Sequence, residues 1–403
     1  MTTMKKDRKE KGNFPTLRFP EFEGEWEKKT LGEVAKIIGG GTPDTTIEEY
    51  WNGGIQWFTP TEIKSNYVSK SERTITELGL SKSSAKLLPA GTILLTTRAT
   101  IGEVALATEE CTTNQGFQSL VVKNGVNRVF IANWIKQNKK ELIKRANGST
   151  FAEIGKSEIE KIPILLPTAL EQNKIASFLS LLDERITTQN KIIEELESLI
   201  KGLTNRLFSE CFNNEKLVPL KSITSVITRK NNEKEDYPIM MITAEHGFIN
   251  QNEKYSNDNA GSSLSKYTLL KQGELAYNRG SSKAKKYGSV FYLSQPNALI
   301  PYVYHSFSMN TQNCEAMFYA YLLNSKLLDK ELRKAISSTA RMDGLLNISK
   351  ESFFSIKVPL PALKKQHLIS TVLNGLKQKS DLEKDMRIKY QRQKQYILQQ
   401  IFI

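Results

Sequence analysis

The hydrophobic positions of this chain follow two rhythms. From residue 171 to 208 apolar side chains recur at Ile175, Leu179, Leu182, Ile186, Ile193, Leu196, Ile200, Leu203 and Leu207. The alternating spacing of four and three predicts a coiled-coil helix, with Gln189 the one polar residue in its seam. Pro167 ends the preceding strand, and the helix starts shortly after it. At ~1.5 Å per residue this segment should extend about 57 Å. Gln189 either fixes register or is a tolerated polar residue near solvent, and the pattern does not decide between them. A more broken stripe runs from Leu363 to Phe402 through Ile369, Leu373, Leu376, Leu382, Met386, Tyr390, Ile397 and Ile401. Elsewhere short apolar runs are bounded by turn residues. TILLTTRATIGEVALA from Thr92 reads as two strands turning near Ala99, and FIANWIKQNKKELIKRA from Phe130 as an amphipathic helix ending near Gly148.

These elements recur at long range. KIPILLPTALEQNKIASFLSLL from Lys161 is answered by SIKVPLPALKKQHLISTVLNGL from Ser355. At an offset of 194, Pro167 matches Pro361, Gln172 Gln366, Ile175 Ile369, Leu179 Leu373, Leu182 Leu376 and Phe208 Phe402. More loosely, LLPAGTILLTTRATIGEVALA from Leu87 pairs with LLKQGELAYNRGSSKAKKYGSVFYL from Leu269, placing Arg98 and Arg279 in matching turns. The second copy of the domain helix is CEAMFYAYLLNSKLLDKELRKAI from Cys314. The expected fold is therefore α+β: two similar mixed α/β domains forming an internal repeat. They are joined and spaced by two long antiparallel coiled-coil helices, with a coiled-coil dimer between chains as the alternative. The expected boundaries are a lead-in at 1–25, a domain at 26–166, a helix at 167–212, a second domain at 213–361 and a helix at 362–403.

Charge sharpens this division. The 403 residues carry a net +14, with −3 over 162–215, +7 over 216–350 and +6 over 351–403. Basic blocks suggest a polyanionic partner, nucleic acid first. Cys111, Cys211 and Cys314 are odd in number and far apart, which excludes a disulfide scaffold or a multi-cysteine zinc module. No apolar run approaches a membrane span and the N-terminus lacks an export core, so a cytoplasmic protein is expected.

The usual catalytic signatures fail. Six residues separate Gly148 from Gly155-Lys156-Ser157, where a phosphate loop requires four. Adenine methyltransferases hold the flipped base with a Pro-Pro loop, and the chain has no Pro-Pro pair. One pattern offers an alternative function: Asp44, Glu62 and Lys64 resemble the carboxylates and lysine of a free-standing metal-dependent endonuclease.

Taken together, LRFPEFEGEWEKKTLGEV from Leu17, GGTPDTTIEEYWNGGIQWFTPTEI from Gly40, TNQGFQSLV from Thr113 and the paired helix starts at Pro167 and Pro361 resemble a known family. It is that of the specificity subunits of type I restriction–modification enzymes. The resemblance implies two target-recognition domains, each reading half of a split double-stranded DNA target. It also implies two docked modification subunits, additional restriction subunits and a bacterial cytoplasmic setting. No cofactor is expected in this chain; S-adenosylmethionine, ATP and Mg²⁺ would serve the partners. Glu171 is answered by Lys365 in the repeat, a departure that puts equal docking of the two modification subunits in doubt.

Base reading calls for polar or cationic side chains on exposed loops. In the first domain the candidates are Gln56, Thr59, Thr61, Lys64, Arg98, Thr100 and Asn114. In the second they are Lys230, Thr243, Glu245, Asn278, Arg279, Ser281, Lys283 and Lys285, and NRGSSKAKKYG from Asn278 is the strongest segment. Trp51, Trp57 and Trp134 are expected in the core.

Overall fold

A computed structural model of the chain describes residues 12–98, 100–147, 152–231, 236–243, 247–250, 266–282, 285–336 and 346–402. They form two compact units, Met1–Asn190 with Met386–Ile403, and Lys191–Asp385. Ala99, Glu245, His246 and Lys283 lie outside the described residues.

The first unit contains β1 (Glu27–Thr30), α1 (Leu31–Val34), β2 (Ala35–Gly39), β3 (Trp51–Phe58), β4 (Tyr67–Val68), β5 (Arg73–Ile75) and α2 (Glu77–Ser81). It continues with β6 (Ile93–Leu95), β7 (Val104–Ala107), β8 (Cys111–Thr113), β9 (Gln118–Val122), α3 (Arg128–Gln137), α4 (Lys139–Lys144), α5 (Lys156–Glu160), β10 (Pro163–Leu166) and the start of α6 (Ala169–Asn214). The second unit holds the end of α6, β11 (Leu217–Pro219), β12 (Thr224–Val226), β13 (Met240–Thr243), β14 (Gly247–Asn250), β15 (Thr268–Leu270), β16 (Leu275–Asn278) and β17 (Ser289–Tyr292). Then come β18 (Ala298–Ile300), β19 (His305–Met309), α7 (Ala316–Leu323), α8 (Asp329–Ala335), α9 (Lys350–Phe354), β20 (Lys357–Pro359) and α10 (Leu363–Ile401), whose last turns return to the first unit.

The repeat survives in the strand order. The main sheet runs β2-β9-β6-β7-β4 in the first unit and β12-β19-β16-β17 in the second. The antiparallel pairing of β2 with β9 and of β6 with β7 is reproduced by β12 with β19 and β16 with β17. A second sheet adds a parallel pair, β3 with β8, echoed by the parallel bridge Ile239↔Leu299. The turns are kept as well: Gly91 and Gly273 before the central strands have φ of 85° and 89°. Gly102 and Gly288 before the next strands have φ of 88° and 81°, values that glycine adopts without a Cβ clash.

Both domain helices are shorter than their apolar pattern suggests. The run from Phe130 breaks at Asn138, whose side-chain amide donates to the Trp134 carbonyl at 3.0 Å, and α4 begins after it. The run from Cys314 breaks at Asn324, whose amide turns back to the Ala320 carbonyl at 3.0 Å. In each case an asparagine offers the backbone an alternative partner where the helix would have continued.

The seam read in α6 is its inward face: Ile175, Leu179, Leu182, Gln189 and Ile193 are buried, and Ile186, Leu196, Ile200, Leu203 and Leu207 are half-buried. In α10, Ile369 and Leu373 are buried and Leu376 half-buried, but Leu382 is 65% exposed and Met386 40%. Ser380 is buried and Arg387 half-buried instead, so polar groups occupy inward positions in the middle of α10. Within the first unit the helices run antiparallel, with Lys394 paired to Asp183, the Arg185 guanidinium 5.0 Å over the Tyr390 ring and Arg387 Nη1 3.5 Å from Asn190 Oδ1. Within the second, Lys384 meets Glu197 at 2.5 Å, and Lys365 meets Glu210 and Glu215 at 3.2 and 3.0 Å. The acidic excess of α6 is thus matched to the basic excess of α10, and part of the C-terminal positive charge is neutralised inside the fold.

Each helix start is locked by the same glutamine. Gln172, 1% exposed, accepts from the Asn127 amide at 2.9 Å and donates to the Pro167 carbonyl at 2.8 Å. Gln366, fully buried, accepts from the Glu315 amide at 2.9 Å and donates to the Pro361 and Asn313 carbonyls at 2.8 and 2.9 Å. Asn127 and Glu315 cap α3 and α7, so this contact ties the strand–helix corner to the domain helix in both copies. The repeated phenylalanines act alike: Phe402 packs edge-on against Phe130 at 5.1 Å and Phe208 against Phe318 at 5.3 Å. The Glu171/Lys365 departure is compensated locally. Glu171 accepts two 2.8 Å bonds from Arg18 and one of 3.2 Å from Trp26, whereas Lys365 takes the two glutamates at the end of α6.

Candidate nucleic-acid interface

In the first unit several loops converge on Gly116. Its carbonyl accepts from the Thr97 amide at 2.8 Å and hydroxyl at 3.1 Å, and its amide donates to Asn114 Oδ1 at 2.8 Å. A Cβ there would meet the Pro60 ring at 2.7 Å, and one on Gly40 would meet the Asn114 carbonyl at 2.0 Å, so glycine lets these loops approach closely. The arrangement gathers Thr59, Thr61, Arg98, Thr100 and Asn114 on one loop cluster and adds Gln115, an exposed residue the pattern reading did not single out. Gln115 accepts a hydrogen bond from the Thr42 hydroxyl. Its only sequence signal is membership of the TNQGFQ segment.

The candidates differ in availability. Thr61, Lys64, Arg98 and Thr100 are exposed. Arg98 Nε is held by Glu153 Oε2 at 2.9 Å in a half-exposed pair, which aims the side chain while leaving part of its fork open. Asn114 Oδ1 is occupied by Gly116, and the Thr59 hydroxyl donates to Glu62 at 2.7 Å. Gln56 faces the segment between β4 and β5, where its oxygen accepts from the Ser71 amide at 2.7 Å and hydroxyl at 2.9 Å.

The carboxylates of the nuclease pattern are used by the fold. Glu62 closes a capping box with Thr59 at 2.6 Å and accepts from the Glu72 amide at 2.7 Å. Asp44 forms an Asx turn, accepting from the Thr46 hydroxyl at 2.7 Å and amide at 2.9 Å; these bonds hold its pKa below the ordinary aspartate value. Among the described residues no three His, Cys, Asp or Glu side chains are grouped to hold a metal ion. Nothing in this geometry supports the metal-dependent endonuclease.

The second unit builds its loop face from the matching strands. Asn278 donates to the Ile242 carbonyl at 2.9 Å and accepts from the Gly280 amide at 2.9 Å, tying β16 to the β13–β14 hairpin that carries Thr243. Arg279 Nε donates to the Val303 carbonyl at 3.2 Å, and its own carbonyl accepts from the Leu346 amide at 2.9 Å. This mirrors the first unit, where Thr97, next to Arg98, accepts from the Ile154 amide at 3.3 Å. Ser281 is exposed and donates to the Lys286 carbonyl at 3.0 Å. Lys285 points back into the unit, donating to the Asn324 carbonyl at 3.0 Å, and burial lowers its pKa despite the pull of Asp329. Lys230 is exposed and bonded to the Lys266 carbonyl. Trp51, Trp57 and Trp134 are all core residues.

No helix among the described residues is long and apolar enough to cross a membrane. Comparison with known proteins places this scaffold. At 39% identity over 201 residues, the chain matches the type I restriction enzyme MjaIX specificity subunit of Methanocaldococcus jannaschii, covering 48% of this chain and 46% of that one. At 33% identity it matches 45% of the EcoR124I/EcoR124II specificity subunit of Escherichia coli, so the chain spans about half the length of these two relatives. It aligns with the M. jannaschii MjaVIII specificity subunit over 91% of both chains at 25% identity. The fold is that of a crystal structure of a type I restriction-modification S subunit from M. genitalium, with a TM-score of 0.63 at 18% identity and coverage of 97% and 99%. The family described as "Type I restriction modification DNA specificity domain" matches residues 23–198 and again 210–390, most of the chain. With two copies of that domain, each on its own repeat of the same scaffold, the chain belongs to the type I restriction–modification DNA specificity family.

Proposed function

We propose that this chain is the DNA-reading subunit of a bacterial cytoplasmic type I restriction–modification complex and performs no bond chemistry itself. Each unit reads one half of a split double-stranded target with the loop ends of its sheets. Methyl transfer from S-adenosylmethionine, and ATP- and Mg²⁺-dependent translocation and cleavage, belong to two modification subunits and further restriction subunits. The observation that carries this reading is one framework built twice, down to Gln172/Gln366 and Phe402/Phe208, with different side chains on the loops. A conserved frame with diverged exposed polar residues suits two readers of different sequences.

The test is a genome-wide map of methylated adenine in cells carrying the matching modification subunit, with and without this chain. A split motif should lose methylation only when the chain is absent. Exchanging residues 26–161 for those of a relative should alter one half of the motif and leave the other unchanged. A motif independent of the chain would refute the proposal.

A further inference from the structure

Arg73 lies on β5 with its backbone in register opposite Trp57, and its side chain is exposed. Its guanidinium carbon sits 3.5 Å from the centroid of the Trp51 ring and 5.8 Å from that of Trp57. The two indoles meet edge to face at 5.0 Å and 88°. Both are buried and pinned by their ring N–H groups, Trp51 to the Asp44 carbonyl at 3.0 Å and Trp57 to the Gly41 carbonyl at 2.8 Å. The platform under Arg73 is therefore rigid, and much of the rotamer freedom of the arginine is already restricted.

The charge itself is unanswered. Arg18, Arg98 and Arg145 of this unit are each met by a glutamate, whereas Arg73 makes no ion pair and no side-chain hydrogen bond among the described residues. A stacked guanidinium keeps its in-plane N–H donors available to an incoming anion. The site also adjoins the loop cluster. The carbonyls that pin the two indoles bracket Thr42, whose hydroxyl donates to Gln115 beside Asn114. Arg73 thus flanks the reading loops, on a strand of the sheet rather than on a loop tip.

We propose that Arg73 is a preset DNA-phosphate contact of the first unit, one that positions the duplex for the neighbouring loops without reading bases. This rests on the DNA-recognition function proposed above. Phosphate contacts fix register, and a planar fork held on an aromatic face suits them.

The full chain, assembled with its modification subunits, should be titrated with mixed-sequence duplex and with duplex carrying its methylation motif over a range of KCl concentrations. Arg73→Gln should lower the slope of log affinity against log salt by about 1, and weaken both duplexes alike by about fivefold at 0.15 M salt. Arg73→Lys should retain the slope, because the charge stays. An unchanged slope in Arg73→Gln would overturn the assignment, as would a lowered melting temperature with unchanged DNA affinity, which marks a packing role. A loss confined to the motif duplex would also overturn it, because that marks base reading. A wild-type complex with no salt-dependent affinity for DNA would instead sink the underlying function together with this contact.

Discussion

Replacing Gln366 with leucine tests how each spacer helix is fastened to its domain. Leucine has a similar bulk but no polar atoms, so the Glu315 amide and the Pro361 carbonyl lose a partner in a largely buried corner, and the carbonyl of the exposed Asn313 loses one that water can replace. With ~1–3 kcal/mol for each of the two enclosed groups left unpaired, and some recovered from the apolar side chain, the cost is about 2–5 kcal/mol. Gln172→Leu strands one amide and one carbonyl and should cost about 2–4 kcal/mol. A single global unfolding free energy is poorly defined for a chain of two units, so the readout should be local. Amide hydrogen exchange by mass spectrometry serves this purpose. Gln366→Leu should speed exchange in peptides covering 313–318 by about a hundredfold, as expected for ~3 kcal/mol of lost local protection, and leave peptides around 127–130 unchanged. Gln172→Leu should do the reverse. Unaltered protection at the α7 start in Gln366→Leu would refute the claim that this side chain locks the corner.

Arg18→Ala should destabilise the first unit by about 3–5 kcal/mol, because it leaves the Glu171 carboxylate buried with only the Trp26 N–H; Arg18→Ala/Glu171→Gln should recover most of the loss in thermal melting. His305 is 5% exposed and its pKa is pushed down to about 4, chiefly by burial. The unfolded chain therefore takes up this proton first, and the second unit should lose up to about 3 kcal/mol as pH falls from ~6.5 to ~4. His305→Phe should flatten that part of a stability–pH curve measured by urea denaturation. Phe402→Ala and Phe208→Ala should each cost about 3–5 kcal/mol, with hydrogen exchange placing the loss at α3 for the first and α7 for the second.

The sequence made some of this legible and concealed the rest for identifiable reasons. The α6 seam could be read because its inward positions are nearly all aliphatic. The α10 stripe misled at Leu382 and Met386 because its true inward face carries Ser380 and Arg387, and its basic residues answer acids on a helix far away in the chain. The two helix breaks depend on single asparagine side chains that a hydrophobic period does not register. Among the candidate readers, Arg98 and Arg279 fell in matching turns because the repeat aligned them. Gln56 and Lys285 look equally available in a string of letters, yet their partners, Ser71 and Asn324, are brought close only by folding. Arg73 carried no local signal at all, since its platform forms only when β5 pairs with β3.

The way the chain is divided has a consequence for biosynthesis. The second unit is one continuous stretch, 191–385, so all of its core emerges from the ribosome in sequence. The first unit is not: Ile397, Ile401 and Phe402 complete the core that also contains Trp26, Phe130 and Leu179. The domain translated first is therefore the last to be finished, and until the final turns of α10 arrive its apolar surface stays open to chaperones and to neighbouring chains. The same arrangement constrains exchange of coding segments between related chains. A cassette that replaces the second domain can be read accurately only if it preserves the C-terminal turns that belong, structurally, to the first.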